Sequence, residues 1–318
     1  MKILVTAPYS NQCKQELANT FEEIIYKPWK AHGRGYNAQE LISMLNDTHA
    51  EALITEHDRV TKAVIQTHPG LRFIGVCRGT PSNVALDTAN KLGIPVFNAP
   101  GRNAQAVAEL FVANVITLLR KTIEGWQWLR NEEWEEGAHT AYLQFKGHEL
   151  AGKTVGMVGF GAVARHIARI VKAFPADIQF YDPYVDNPEA KYEQKESLEE
   201  LFATCDIVSV HLPVNEETTG MIDGPLLSRM ASDAIFVNTA RAAVVRREAL
   251  LEVLENNDIR GAVLDVYNHE PPDETDYRLI HLPNVLATPH IAGATYEVED
   301  HHSQIMNRTI LRWWKEQN

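Results

Sequence analysis

Cysteine is scarce in this chain, and Cys13, Cys77 and Cys205 are its only thiols. They form no Cys-x-x-Cys pair and leave an odd number, which argues against a disulfide framework and against a zinc site. So few unpaired thiols suit a reducing cytosol. The sequence therefore predicts a cytoplasmic protein with no metal site.

Long uninterrupted apolar segments are also missing. The most apolar long segment, AVAELFVANVITLLRK, contains Glu109 and ends in Arg120 and Lys121, so it is too short and too interrupted to span a bilayer. The N-terminal stretch MKILVTAPYS is apolar for only a few residues and lacks a cleavage pattern, which predicts a first strand and not a signal peptide. We therefore expect a soluble protein.

An excess of positive charge is absent as well. The 30 lysines and arginines are outnumbered by 42 aspartates and glutamates, which gives a net charge of −12. This balance is a poor electrostatic match to nucleic acid or to an anionic membrane. An anionic substrate must then be held by a local cluster of donors. The sequence has no solenoid-type repeat, and its 318 residues are enough for two domains.

Short β-rich runs alternate with amphipathic segments over residues 1–100. The runs KILVTA, EALIT and RFIGVC predict buried strands, and NQCKQELANTF, AQELISMLN and PSNVALDTANKLG show helical spacing, the last with Gly93 at its C-cap. This alternation favours a parallel sheet with helices on both faces.

A break follows at Asn98–Gln105, where Asn103 can cap a long helix from about Ala104 to Lys121. The next stretch, GWQWLRNEEWEEGAHTAYLQFKGHEL, is rich in tryptophan and glutamate and lacks clean periodicity, which suggests an excursion over the surface. Its three tryptophans, Trp126, Trp128 and Trp134, either form an oligomer contact or pack against one another.

A second alternation begins near Lys153. Its predicted strands are nearly all apolar, as expected for a parallel sheet covered on both sides, and they are TVGMVGF, IQFYD, DIVSVHL, AIFVNTA, GAVLDVY and NVLAT. The last segment, from about Ala294 to Lys315, predicts a long and mostly polar helix.

The first strand of this alternation runs into Gly159-x-Gly161-x-x-Ala164, which opens a helix. Gly159 allows a tight turn, Gly161 lets the backbone approach a pyrophosphate, and Ala164 permits close packing of helix on strand. Asp182 ends the next strand, where a carboxylate accepts hydrogen bonds from an adenosine ribose and repels a 2′-phosphate. The pattern predicts NAD binding, although Asp182 is also a good turn residue before Pro183.

Three charged residues follow the ends of later strands. Arg241 is the last residue of AIFVNTAR, and His290 is the last residue of NVLATPH. Glu270 lies in GAVLDVYNHEPP, a few residues after the predicted strand. Ligands of doubly wound sheets bind at this edge. Each residue alone could be structural, but three at this edge after a dinucleotide-binding pattern favour a functional site.

These motifs closely resemble the D-isomer-specific 2-hydroxyacid dehydrogenases, the group of phosphoglycerate dehydrogenase, glyoxylate/hydroxypyruvate reductase and D-lactate dehydrogenase. The resemblance covers nearly the whole chain and rests on AVAEL, GFGAVA, CDIVSVHLPVNEETTGMI, VNTARAAVV, LDVYNHEPP and LPNVLATPHIAGAT. It implies an α/β fold of two doubly wound parallel-sheet domains, with a Rossmann NAD-binding domain (101–290) inserted into a flavodoxin-like substrate domain (1–100 and 291–318). It also implies a homodimer.

The resemblance assigns roles to individual residues. His290 is similar to the acid–base that protonates the carbonyl oxygen, Glu270 to the partner that orients the imidazole and raises its pKa, and Arg241 to the cation that holds the substrate carboxylate. Asp265 matches the residue near the nicotinamide carboxamide. The cofactor contacts it implies are Gly159, Gly161, Ala162, Val163, Tyr181, Asp182, His211, Pro213, Thr218, Thr239, Ala240, Asp265, His290 and Gly293.

The substrate loop departs from the family's Gly-rich pattern, because this chain has VCRGTPSNVAL. The N–H groups of Arg78, Gly79 and Thr80 could still bind a carboxylate, while Pro81 lacks a donor. An inward Arg78 would suit a second anionic group, which predicts a phosphorylated or dicarboxylic acid resembling phosphoglycerate; otherwise Arg78 faces solvent or pairs with an acid. Asn103 and Arg241 are further predicted substrate contacts, and Arg102 is a weaker candidate.

Two alternative functions remain open at this point. A reductase for glyoxylate or hydroxypyruvate would keep the same acid–base site without a second anion site. A protein of another class, which senses NAD and acts through protein partners, would bind the cofactor without turnover.

Overall fold

The computed structural model describes residues 1–135, 137–185 and 192–317. Its contacts divide the chain into two compact units. Unit 1 contains Met1–Asn103 and the C-terminal residues from Thr295, and unit 2 contains Ala104–Ala294. The first boundary follows residue 103, where the sequence predicted residue 100. The second follows residue 294, where the sequence predicted residue 290.

Unit 1 is built on a parallel sheet of five strands in the order β2-β1-β3-β4-β5. This is the flavodoxin-like doubly wound order. The sequence predicted the three inner strands but not β2 and β5, which lie at the two sheet edges and are only partly buried. The strands are β1 (Lys2–Val5), β2 (Glu23–Tyr26), β3 (Ala52–Thr55), β4 (Phe73–Val76) and β5 (Val96–Asn98).

Helices cover both faces of this sheet, and several begin at side-chain caps. Asn37 and Glu40 form a reciprocal capping box at the start of one of them. The long C-terminal helix, Glu297–Gln317, belongs to the core of unit 1: Gly75 leaves the space that Met306 Sδ occupies, since a Cβ there would lie 2.8 Å from the sulfur. The other helices are α1 (Asn11–Ala18), α2 (Ala38–Thr48), α3 (Lys62–Thr67) and α4 (Leu86–Lys91), with a 3-10 turn at Trp29–His32.

Unit 2 is built on a second parallel sheet, in the order β12-β11-β10-β9-β6-β7-β8. In the opposite direction the order is β8-β7-β6-β9-β10-β11-β12. Its first six strands have the Rossmann order, and β12 is one strand more. All six predicted strands are present, and β8 was not predicted because it has only two residues. The strands are β6 (Thr154–Val158), β7 (Asp177–Tyr181), β8 (Glu193–Gln194), β9 (Ile207–Val210), β10 (Ile235–Asn238), β11 (Gly261–Leu264) and β12 (Val285–Ala287).

Two apolar clusters cover the two faces of the unit 2 sheet. The predicted fold class is therefore confirmed: both sheets are parallel, doubly wound and flanked by helices. The helices of unit 2 are α5 (Ala104–Arg120), α6 (Thr122–Arg130), α7 (Ala138–Gln144), α8 (Ala162–Val171), α9 (Leu198–Thr204), α10 (Gly224–Leu227), α11 (Arg247–Glu255) and α12 (Glu274–Ile280), with a 3-10 turn at Ala242–Val244.

The tryptophan-rich stretch forms α6 and α7. The rings of Trp128 and Trp134 lie 5.6 Å apart, so these two do pack locally, whereas Trp126 and Tyr142 are 56% and 69% exposed. Glu136, which the same prediction covers, lies outside the described residues. In the described parts of the chain, none of the helices is both long and apolar enough to cross a membrane.

Candidate active site at the carboxyl ends of the strands

The turn between β6 and α8 depends on two glycines for different reasons. Gly159 has a φ of +87°, and a Cβ there would lie 2.9 Å from Leu212 Cδ2 and 3.0 Å from the His211 carbonyl oxygen. Gly161 has ordinary backbone angles and caps α8, but no atom lies within 4 Å of the place its Cβ would take. The first glycine is thus required by the turn, and the second leaves the N-terminus of α8 open to an anion.

Asp182 ties this turn to the end of β7. Its Oδ2 accepts the Phe160 N–H at 2.8 Å, and its Oδ1 accepts the Tyr184 N–H at 2.9 Å. Both predicted roles are therefore compatible with the geometry, because the carboxylate shapes a turn and keeps further lone pairs at a half-exposed position. Ala162 and Val163 form the first residues of the helix beyond it.

Polar side chains follow the ends of β9 and β10. Among the described residues, neither His211 Nε2 nor Thr239 Oγ1 has a hydrogen-bond partner, although both atoms are buried. Burial also lowers the pKa of His211 to about 3, so its ring is neutral near pH 7. Buried polar atoms are normally satisfied, so these two indicate that a polar ligand completes the edge. A dinucleotide fits here, because β9 and β6 flank the point where the strand order reverses and β10 is the next strand along the sheet.

Other predicted cofactor contacts are satisfied within their own loops. The Thr218 hydroxyl donates to the Pro213 carbonyl at 2.6 Å and accepts the Asn215 N–H at 2.9 Å. Tyr181 is the last residue of β7, Ala240 follows β10, and Gly293 lies at the end of unit 2. Their contact with a cofactor stays a prediction.

The turn after β10 presents Arg241 to solvent. Asn238 shapes it, accepting the Ala240 N–H and donating to the Arg241 carbonyl, both at 3.0 Å. The Arg241 guanidinium donates only to the neighbouring Ala240 carbonyl, at 2.6 Å, in the described part of the chain. Its remaining donors are free for an anionic group.

His290 and Glu270 come together as a pair. Both carboxylate oxygens of Glu270 lie 2.8 Å from Nδ1 of His290, and each side chain is somewhat less than half exposed, at 44% and 45%. A carboxylate on Nδ1 fixes the ring orientation and leaves Nε2 to exchange a proton with a ligand.

The backbone of His290 is left-handed, with a φ of +54°, and Asp265 holds the residues around it. The fully buried Asp265 carboxylate accepts the Thr288 hydroxyl at 2.6 Å and the N–H groups of Ile291 and Ala292 at 2.9 and 2.8 Å. Sequence reasoning assigned Asp265 to the cofactor and missed this role, because its partners lie more than twenty residues away.

Tyr267 was also missed. Its hydroxyl donates to the Thr288 carbonyl at 2.9 Å, and its N–H lies 3.5 Å from Glu270 Oε1. Burial, followed by the charges of Asp265, Asp276 and Glu270, raises the pKa of Tyr267 to about 12. The phenol therefore stays protonated and connects the Glu270 loop to the His290 segment.

The predicted substrate loop lies in unit 1, after β4. The Arg78 N–H donates to the Val76 carbonyl at 2.7 Å, so the structure corrects its predicted use as an anion donor. The Gly79 and Thr80 N–H groups have no acceptor among the described residues and remain available. Asn83 faces inward, donating to the Asp58 carbonyl at 2.9 Å, and Asn103 lies half-buried just before α5.

A charged cluster that the sequence did not reveal lies near this loop. The buried Glu56 carboxylate is 3.2 Å from an Arg102 nitrogen and accepts the Trp29 indole N–H at 3.0 Å. His57 lies next to Glu56, and burial lowers the pKa of its imidazole. The negative charge of Glu56 raises this pKa, whereas the positive charges of Arg78 and Arg102 lower it further. Arg78 therefore lies within electrostatic reach of the cluster, and Arg102 is already paired.

The sequence of unit 2 matches a known family. Residues 112–292 match the profile described as "D-isomer specific 2-hydroxyacid dehydrogenase, NAD binding domain". This match lies within unit 2 and contains the glycine turn, Arg241, Glu270 and His290.

Curated relatives match along nearly the whole chain. A putative 2-hydroxyacid dehydrogenase of Bacillus subtilis is 55% identical over 98% of this chain and 91% of its own length. A glyoxylate reductase of Thermococcus litoralis is 32% identical over 99% and 94%. A D-3-phosphoglycerate dehydrogenase of Archaeoglobus fulgidus is 31% identical over 99% of this chain, which spans only 58% of that relative.

Proposed function

Because the chain belongs to the D-isomer-specific 2-hydroxyacid dehydrogenases, a family of NAD-dependent oxidoreductases, we propose that it interconverts a small 2-hydroxy acid and its 2-oxo acid. The observation that carries this proposal is the pair of His290 and Glu270, with Nδ1 2.8 Å from both carboxylate oxygens. It supplies a fixed acid–base at the sheet edge where ligands bind.

In the direction of reduction, protonated His290 gives the proton on Nε2 to the carbonyl oxygen of the substrate. Glu270 stabilises the imidazolium and holds its ring in one orientation. Arg241, with donors facing solvent, binds the substrate carboxylate and polarises the 2-oxo group. In oxidation, neutral His290 takes the proton from the hydroxyl group.

We assign NAD binding to unit 2, and we assign the selection among substrates to Arg78, Gly79 and Thr80 of unit 1. Gly159, Gly161 and Asp182 would hold the dinucleotide, with Thr239 and His211 completing its polar contacts. Bound NADH supplies the hydride for reduction. The Asp182 carboxylate favours NAD over NADP because it would repel a 2′-phosphate.

We propose a substrate with a second anionic group, such as a phosphorylated or dicarboxylic acid. Arg78, in the loop that departs from the family's Gly-rich pattern, is the candidate that the sequence predicts for that group. The Gly79 and Thr80 N–H groups would bind one anion of the substrate. Phosphoglycerate-like acids are the first candidates, and glyoxylate or hydroxypyruvate are the alternative.

We also propose that the protein is a cytoplasmic homodimer. The three cysteines, Cys13, Cys77 and Cys205, are all free and buried, which suits a reducing compartment. The exposed aromatic side chains of α6 and α7, Trp126 and Tyr142 among them, form a surface that a second copy would cover. Light scattering of the wild type and of Trp126→Ser tests this: the variant should be monomeric.

The central test is NADH oxidation by purified protein with phosphohydroxypyruvate, 2-oxoglutarate, hydroxypyruvate and glyoxylate. His290→Asn should lose turnover and still bind NADH. Arg78→Ala should raise KM for the phosphorylated or dicarboxylic acid and leave KM for glyoxylate unchanged. Arg308→Ala, which removes an exposed arginine from the C-terminal helix of the same unit, is the matched control.

Each other outcome has a definite meaning. Glyoxylate turnover that exceeds all others and ignores Arg78→Ala would keep the enzyme and overturn the second anion site. Tight NADH binding without turnover of any acid would contradict the enzymatic proposal and favour an NAD-sensing interaction protein.

A further inference from the structure

The loop that carries Glu270 is wrapped around a single carboxylate. This loop connects β11 to α12, and the N–H groups of Asn268, His269 and Asp273 donate to Asp276 at 3.3, 3.0 and 3.3 Å. Two of these donors precede Glu270 and one follows it. Asp276 thus holds both sides of the loop, much as Asp265 holds the segment around His290.

Asp276 itself is almost fully buried, at 1% exposure. A buried carboxylate is tolerated only when it is paired and hydrogen-bonded. The partner is Arg247 of α11, whose guanidinium lies 3.3 Å from Asp276 Oδ1 and 2.9 Å from both oxygens of Asp273. The backbone N–H of Asp276 and then Arg247 lower the pKa of Asp273 to about 2, so Asp273 is anionic throughout the physiological pH range.

A metal ion is a poorer explanation of this cluster. Possible ligand atoms of His269, Asp273 and Asp276 do lie within 4.8 Å of one another. However, the Arg247 guanidinium already bonds to both carboxylates and supplies the positive charge. The Asp276 lone pairs also face three backbone donors, so the carboxylate serves the loop.

Glu270 depends on this loop for its position. Its side-chain hydrogen bonds, within the described residues, are those to His290 Nδ1 and the long one from the Tyr267 N–H. With 44% of the side chain exposed, packing does little to fix it. Its backbone must therefore set where the carboxylate lies.

We propose that Asp276, paired with Arg247, is a positioning residue that holds Glu270 against His290. This inference rests on the proposed function, in which that pair is the acid–base. Asp276 and Arg247 act through the Glu270 backbone and do not touch the substrate. Loss of either should displace Glu270 by a fraction of an ångström to an ångström and weaken the imidazolium pairing.

The test compares Asp276→Asn and Arg247→Met with Glu270→Gln, using kcat, KM, the pH profile of kcat/KM for reduction, and NADH affinity. We expect kcat to fall about 10- to 100-fold, the range for a small misplacement. As the pH rises, the variants should lose activity at a lower pH than the wild type does, and Glu270→Gln should show the same change. The other titratable groups of this region, Asp265, His269, Asp273 and Tyr267, keep their identity in all three variants. NADH affinity should change less than about twofold, since the glycine turn is untouched.

Two further variants separate positioning from stability. Arg247→Lys keeps the charge but loses the fork, so it should recover part of kcat. Asp206→Asn is the matched control: it breaks an ion pair to Lys153 and a bond from the Thr154 N–H, both near the start of β6. It should lower the melting temperature and leave the pH profile unchanged.

The double variant Asp276→Asn/Glu270→Gln should have a kcat no lower than that of Glu270→Gln alone, because both changes weaken the same Glu270–His290 interaction. Additive losses, or a wild-type pH profile in Asp276→Asn, would overturn the positioning role while the proposed function stands. Full activity of both Glu270→Gln and His290→Asn would overturn the proposed function, and this inference with it.

Discussion

The two sheets share a parallel, doubly wound design, but their carboxyl edges differ in how their polar groups are satisfied. In unit 2, two buried atoms at strand ends, His211 Nε2 and Thr239 Oγ1, have no partner among the described residues. In unit 1, the buried Asp58 accepts hydrogen bonds from Thr6 at 2.5 Å, Thr55 at 2.6 Å and the Tyr36 N–H at 2.7 Å.

The difference indicates two ways of preparing for a ligand. Unit 2 leaves donors and acceptors that a large polar ligand must complete, which costs stability in its absence. Unit 1 satisfies the Asp58 carboxylate internally, and in its predicted substrate loop the Gly79 and Thr80 N–H groups and the buried Asn83 Oδ1 have no partner among the described residues. We therefore expect changes in unit 2 to alter chemistry or cofactor affinity, and changes in unit 1 to alter selectivity.

The largest effect is expected for Glu270→Gln in unit 2. Glutamine keeps the size and an acceptor but removes the negative charge 2.8 Å from His290 Nδ1, so the protonated imidazole is less favoured. Reduction needs the protonated ring. As the pH rises, activity should therefore disappear at a lower pH than in the wild type. We expect kcat at neutral pH to fall about 100-fold or more.

Steady-state kinetics over a pH series measure this effect, with Glu274→Gln as a matched control on the exposed first turn of α12. The control should behave as the wild type. A pH profile of Glu270→Gln that coincides with that of the wild type would contradict the role of this carboxylate.

The next effect concerns the two glycines of the β6–α8 turn. Gly159→Ala must adopt a left-handed backbone and contact Leu212 and His211, at a cost of about 1–3 kcal/mol, so both the melting temperature and NADH affinity should fall. Gly161→Ala has open space around its methyl group, so it should fold normally and lose NADH affinity by about tenfold. Calorimetry with NADH distinguishes them. Unchanged affinity in Gly161→Ala would exclude the α8 N-terminus as the phosphate site.

Sequence reasoning succeeded where the information is contiguous. The glycine turn, the strand ends at Arg241 and His290, and the long helices follow from local spacing and apolar periodicity. The strands it missed, β2, β5 and β8, are partly exposed or very short, so their apolar signal is weak.

The interactions that hold the site were not predictable in the same way. Glu56 and Arg102, or Arg247 and Asp276, come from segments far apart in the chain, and nothing in one segment specifies its partner. Asp265 shows the limit most clearly, since its motif indicates a cofactor contact while its carboxylate accepts three hydrogen bonds from the His290 segment. The roles of the predicted site residues stay predictions.

A smaller effect, in the opposite direction to that of Arg78→Ala, is expected for Glu56→Gln in unit 1. The change removes the negative charge 3.2 Å from Arg102, so the net charge near the predicted substrate loop becomes more positive. KM for an anionic acid should fall about two- to fivefold, as for a partly screened charge pair, and the melting temperature should decrease. Kinetics with the best acid provide the measurement, and an increase in KM would contradict this view of the cluster.

The last effect, which is small near neutral pH, tests whether the buried and unpartnered ring of His211 weakens the fold in acid. The folded protein keeps His211 neutral down to about pH 3, whereas the unfolded chain binds a proton near pH 6.5. The stability from this residue is therefore present above about pH 6.5 and is lost as the pH falls, by at most about 1.4 kcal/mol per pH unit. Urea unfolding at several pH values should show the wild type losing stability faster than His211→Asn. Parallel losses would mean that His211 is protonated in the folded state.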